Sequence, residues 1–323
     1  MLLAQYLTVI KRTVLLSGAL FIAMQLSATE HIAPPPHSSI ENSDLQHWLA
    51  DSEIKPILAG ESEFLTLYSE YMSADFRGIA ILIPDWQSAP TNNAGMGFLR
   101  KELNNLGYTT YAMTVPNIDW QASQSTATDD NLVAKNPSAA QVLANNDTNE
   151  TTKHEAAAIE TSASNSANIH PVTAIAKVTD AVLNDYKANL IARFKALYQA
   201  AMATPTNIVV IAQGTSAGVM LEHYADFPEQ HIAAFISLSS YLPNAKRNAA
   251  LSQTTSLVPP ALLDIYYAHD NNEILMSLDS RQRWVNRNAK FDYRQRQLFG
   301  QQNQPDQHAR LSKEIDGFLR RLF

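Results

Sequence analysis

Ile208-Val-Val-Ile-Ala-Gln-Gly-Thr-Ser-Ala-Gly218 is the stretch on which the reading of this chain turns. Its first four residues are β-branched and apolar, the composition of a strand buried on both faces. Small residues follow, and Ala217–Ala225 reads as a helix. A strand that breaks sharply into a helix needs small flanking side chains, and it lifts one residue to the edge of the sheet. Two registers are open for that residue. Gly214-Thr215-Ser216-Ala217-Gly218 satisfies G-x-S-x-G literally, which puts Ser216 on the turn. Counting four strand residues, one small residue (Ala212) and one variable residue (Gln213) puts Gly214 there instead, leaving Ser216 as a small packing residue.

Outward from this stretch the same alternation recurs. Gly78–Ile83 is an apolar run ended by Pro84, Gly95–Leu106 has Met96, Leu99, Leu103 and Leu106 at helical spacing, and Thr109–Val115 is β-prone. Together they predict a right-handed βαβ unit. Towards the C-terminus the reading gives a helix over Val172–Met202, strands over Ile232–Leu238 and Ala261–Ala268, and a helix over Glu273–Ala289. An alternating strand over Phe291–Leu298 and a helix over His308–Phe323 close the chain. Before the first core strand, Ser43–Ala50 reads as a short helix and Phe64–Met72 as an antiparallel edge strand. The expected fold class is α/β: a mostly parallel central sheet with helices on both faces.

Two segments stand outside that rhythm. Lys11 and Arg12, the apolar run Thr13–Leu26 and the small residues Ser27 and Ala28 have the order of a secretory signal peptide, cleaved after Ala28. The run is short for a membrane span, which takes roughly 18 to 20 apolar residues. The expectation is a periplasmic or secreted protein with no membrane span after signal removal, its domain running over 29–323. Thr29–Ser39, with Pro34, Pro35 and Pro36, reads as an extended linker. Residues 121–170 are dominated by Ala, Ser, Thr and Asn and read as a disordered low-complexity insertion; a lid over an active site is the alternative.

Composition narrows the chemistry. The chain has no Cys, which removes disulfides, thiolate nucleophiles, zinc–thiolate sites and acylation on cysteine. A net charge of −7 without a basic block argues against a nucleic-acid partner. The nine His show no H-E-x-x-H or comparable ligand spacing, so neither a metal nor another cofactor is expected.

Ligands of open parallel sheets meet the carboxyl ends of the strands. Besides Ser216, two residues at such ends attract notice: Asp270 after the strand ending at Ala268, and His308 in the loop before the last helix. Ser, Asp and His in that chain order are the parts of a nucleophile, an orienting carboxylate and a base. Each also has a plainer reading. Asp270 suits a helix cap, His308 suits an exposed helix start, and His269 is a weaker competitor for the base. Asp85 and Trp86 follow the first core strand, where a backbone N–H of an oxyanion hole belongs, as does the N–H of the residue after the nucleophile. Thr215 and Ala217 complete that elbow region, and Trp86 either lines a pocket or packs.

FLTLYSEY, RGIAILIPDWQSAP, FLRKELNNLGYTTYAMTVP, IVVIAQGTSAG, YRQRQL and IDGFLRRLF together resemble the proteobacterial α/β-hydrolase-like domain-of-unknown-function family 3530, from about Leu45 to Phe323 apart from the insertion. The resemblance implies an α/β-hydrolase-like fold and export. Members of that family often carry a glycine-containing elbow without the serine, so it implies no activity. Two functions are therefore expected in competition. One is a catalytically degenerate protein that binds a small molecule or another envelope protein. The other is a periplasmic serine hydrolase, an esterase or peptidase, using Ser216, Asp270 and His308.

Overall fold

The computed structural model describes residues 37–118, 178–203, 206–228 and 231–323. The expected signal peptide, most of the linker and the 121–170 insertion lie outside these residues. Eight strands form one sheet: β1 Ile54–Ala59, β2 Ser62–Ser69, β3 Gly78–Ile83, β4 Tyr108–Met113, β5 Ile208–Gln213, β6 Ala234–Leu238, β7 Ala261–Tyr267 and β8 Tyr293–Leu298. Their spatial order is β1-β2-β4-β3-β5-β6-β7-β8. β2 runs antiparallel to both of its neighbours, and every pair from β4 to β8 is parallel.

Seven helices accompany the sheet among the described residues: α1 His37–Trp48, α2 Met96–Asn105, α3 Asp180–Ala201, α4 Gly214–Asp226, α5 Ala245–Leu257, α6 Asn272–Arg287 and α7 Pro305–Leu319. Successive strand side chains point to opposite faces, so the sheet feeds two cores. Ile81, Val210 and Phe235 meet Phe194 of α3, Tyr224 of α4 and Leu251 of α5 on one face. Leu82, Ile211 and Ile236 meet Leu99 of α2 and Leu311 and Phe318 of α7 on the other. The α/β class with a mostly parallel sheet covered on both sides is what the alternation of apolar runs predicts.

Four departures from the sequence reading have local causes. Phe64–Met72 is expected at the sheet edge, but β2 lies one strand in, because Ile54–Ala59 pairs along its outer side. That outer strand carries Pro56 and exposes Lys55, Pro56 and Leu58, which hides it from an apolar-run criterion while suiting an edge. α5 goes unpredicted because AKRNAALSQTTSL has little apolar periodicity; the Asn244 side chain caps it by accepting from the Arg247 N–H at 3.1 Å. α4 begins at Gly214, three residues before the expected start. α7 begins at Pro305, whose missing N–H costs nothing in a first helical turn. His308 is therefore a buried residue of the first turn of α7 instead of a loop residue before it.

One polar cluster sits wholly inside the fold and braces the strands that carry the site. Arg281 of α6 donates to both Asp264 oxygens of β7 at 3.0 and 3.2 Å, to the Ser240 hydroxyl at 2.8 Å and to the Ser240 carbonyl at 2.7 Å. The Tyr293 hydroxyl of β8 donates to Asp264 at 3.0 Å. Arg281 and Asp264 are each 1% exposed, so neither charge has water to fall back on. Removing one partner of a buried pair costs about 3 to 5 kcal/mol, because the other is left uncompensated. Arg281→Leu is therefore expected to lower stability by about that amount in urea unfolding, and Arg281→Leu with Asp264→Leu by clearly less.

Candidate functional site

The carboxyl ends of β3, β5, β6, β7 and β8 stand side by side, which brings five loops to one edge of the sheet. At the centre of that edge, β5 turns into α4 at Gly214, whose φ is +58°. This left-handed conformation is open to glycine at no steric cost. A Cβ built on Gly214 would also overlap the carboxyl group of Asp85, which arrives from the end of β3. Glycine is thus favoured by the backbone angle, and any side chain here would need the Asp85 carboxyl to move aside.

Asp85 lies across the start of α4. Its Oδ1 accepts from the Thr215 N–H at 2.7 Å and from the Trp86 N–H at 2.8 Å. The first N–H groups of a helix lack partners within it, and Gln213, the N-cap residue, supplies no side-chain bond. A carboxylate from another strand end fills that need and meets the positive end of the helix dipole. Burial nevertheless dominates its ionisation: it pushes the Asp85 carboxyl up to about 6 from an ordinary 3.8, while the N–H groups of Trp86, Thr215 and Ser216 pull the other way. Burial, and then the Asp85 charge, push the Tyr241 hydroxyl up to about 12.

The three expected triad residues do not meet. Ser216 is wholly buried in α4, and its hydroxyl shares a 2.7 Å hydrogen bond with the Tyr186 hydroxyl of α3. Trp86 is 8% exposed and packs edge-on against Tyr186, so it belongs to the core. Thr215 and Ala217 are buried beside Ser216. The ring of His308 packs on Phe98, and its Nε2 lies 2.9 Å from the Gln302 backbone carbonyl. His269 is exposed at the rim, with Nδ1 3.1 Å from the Gly300 carbonyl.

Asp270 keeps a place in the cleft, although not with a histidine. Its Oδ2 accepts from the Ser239 hydroxyl at 2.5 Å and the Tyr267 N–H at 2.7 Å, and its Oδ1 accepts from Gln302 Nε2 at 2.9 Å. It does not cap α6; Asn271 does, accepting from the Glu273 N–H at 3.0 Å. Burial raises the Asp270 carboxyl above its usual range, against the pull of Ser239, Tyr267 and Gln302.

Gln302 is a residue that sequence reasoning missed. It stands between β8 and α7, and its amide touches Asp270, the Ser239 hydroxyl at 3.0 Å and Gln213 Nε2 at 3.4 Å. Gln213 in turn donates to the Ala94 carbonyl at 3.0 Å and accepts from Asn92 Nδ2 at 3.3 Å. The result is a line of amides, Asn92, Gln213 and Gln302, running across the strand ends to Asp270. Ser239, also missed, holds φ at +50°, a strained angle for a serine that its bonds to Asp270 and Gln302 help to maintain. No sequence signal marks a glutamine for such a place, except its position between the last strand and the last helix. Among the described residues, no three His, Asp or Glu side chains gather as metal ligands.

Two outcomes follow. Gly214→Ala should cost more than about 2 kcal/mol of stability in the native background, from the left-handed angle and the overlap, and at least about 1 kcal/mol less in an Asp85→Ala background, because the two sites couple. The second concerns pH. A carboxyl raised in the folded state adds stability that is complete below the unfolded value of 3.8 and is lost as pH rises through about 6. Moving from pH 7.5 to 5 should therefore stabilise the native chain by roughly 1 to 2 kcal/mol more than Asp85→Asn, read as the difference in urea midpoints.

The comparisons with known proteins agree with this architecture. A soluble variant of monoglyceride lipase from Saccharomyces cerevisiae, solved with a substrate analogue, superposes with a TM-score of 0.51 at 8% identity, over 84% of this chain and 95% of that one. Est1E from Butyrivibrio proteoclasticus superposes with a TM-score of 0.50 at 9% identity, over 84% and 98%. At such identities the likeness is one of fold, and the fold is that of the α/β hydrolases. No curated protein matches the chain in sequence. The sequence pattern described as "Protein of unknown function (DUF3530)" matches residues 15–321, and the chain belongs to that family.

Proposed function

We propose that this chain is an α/β-hydrolase-fold protein that binds without hydrolysing, and that its N-terminal segment exports it to the periplasm or beyond. The observation that carries the first half is Asp85 seated over Gly214. Acyl transfer requires a nucleophile at the elbow, a base to activate it and N–H donors free to receive the developing oxyanion. Glycine offers no nucleophile. The Thr215 and Trp86 N–H groups already serve an internal carboxylate. A substrate oxyanion would meet that negative charge where it needs donors, and the loss of a single donor costs about 10²- to 10³-fold in rate.

The remaining parts support the same reading. Gln302 holds the side of Asp270 that an imidazole would need, and an uncharged amide takes no proton at neutral pH. Ser216 is buried with its hydroxyl on Tyr186, away from any substrate. Export rests on Lys11, Arg12, the apolar run to Leu26 and the small pair Ser27-Ala28. What the protein binds is a small molecule or another envelope protein.

A fluorophosphonate probe and a series of p-nitrophenyl esters test the non-catalytic half. The native chain should show no labelling and no ester turnover above buffer, and Ser216→Ala should behave identically. Labelling that disappears in Ser216→Ala would establish the serine hydrolase instead.

A further inference from the structure

A groove of about 450 Å³ lies between α1 and the loop that leads from Asp85 to α2. Ile40, Leu45 and Trp48 of α1, with Leu49 just past its end, form one side, and Ala89 and Thr91 form the other. Leu45 is its buried floor, whereas Ile40 is 50% exposed and Trp48 79% exposed. A large indole left that open beside an apolar trough is not a core residue. The volume falls in the range of small-molecule sites, about 300 to 1,000 Å³.

The open charge in the lining is Asp44, which is exposed; the Glu41 carboxyl interacts with Arg193 of α3, and the His47 ring stands edge-on to the Trp48 indole. An exposed indole next to a carboxylate is an arrangement that attracts ammonium groups, since the ring quadrupole and the carboxylate add. A second groove on the other flank of α1, about 530 Å³, is lined mainly by Ser39, Asn42, Ser43, Gln46 and Glu63 and offers far less apolar wall.

The geometry points to the Trp48 groove as a binding site for an organic cation with an apolar body, such as an alkylammonium. The chain lies along Ile40, Leu45 and Leu49, and the cationic head rests on the indole near Asp44. This deepens the binding function proposed above by placing a ligand class beside the cleft instead of within it. It rests on that reading only for its biological role, because alkylammonium binding and probe labelling are separate measurements.

Octyltrimethylammonium, octyl glucoside and octyl sulfate, each below its micelle concentration, are titrated calorimetrically into the full chain. The cation should bind saturably at one site, at least tenfold tighter than the sulfate, with the glucoside between them. Trp48→Ala and Asp44→Asn should each weaken the cation at least threefold with unchanged circular dichroism, since both side chains are exposed. Tyr68→Phe, remote from the groove, should leave it unaltered. Equal affinity for the three head groups, an undiminished affinity in Trp48→Ala, or the absence of saturable binding would overturn the assignment.

Discussion

The arrangement of the cleft depends on one carboxylate. Asp85 Oδ1 lies within hydrogen-bond reach of two backbone N–H groups, and it occupies space that any side chain at position 214 would need. This contact joins the end of β3 to the start of α4, the two elements between which such folds ordinarily keep a reactive group and its oxyanion donors. Glycine at 214 leaves room for it, and α4 begins there without a side-chain cap from Gln213. The contact also explains why a charge remains in a buried place. Burial disfavours the ion, three N–H groups favour it, and burial prevails far enough to hold the carboxyl near 6.

Around that contact the strand ends carry amides and hydroxyls. Asn92, Gln213, Gln302 and Ser239 lead hydrogen bonds across the strand ends to Asp270. Beneath it the Asp264–Arg281 pair ties β7, α6 and the segment at Ser240 together. Polar networks buried to this degree fix positions, because each member is costly to leave alone.

Much of the fold was legible because its strands are long apolar runs and its helices carry apolar faces, as in β3, α2 and α7. What escaped was polar or interrupted: β1 because of Pro56, α5 because Ser, Thr and Asn fill it. The site was legible in outline. Counting from Ile208 lands on the residue that adopts φ +58°, and Asp85, Asp270 and Trp86 could be placed at strand ends from sequence. The literal G-x-S-x-G misdirected attention to Ser216, since a motif of small residues does not reveal which of them crowns the turn. His308 was misplaced by three residues of helix, from Pro305 onwards. Gln302 and Ser239 were invisible because their roles come from neighbours distant in sequence.

The Asp85 carboxylate occupies the Thr215 N–H in the first turn of α4 and the adjacent Trp86 N–H after β3. Amide proton shifts of Thr215 and Trp86, followed by NMR from pH 4 to 8, test it most directly. Both should move through a single transition near pH 6 in the native chain and show none in Asp85→Asn. Shifts that stay flat in the native chain, or a transition that persists in Asp85→Asn, would contradict the account.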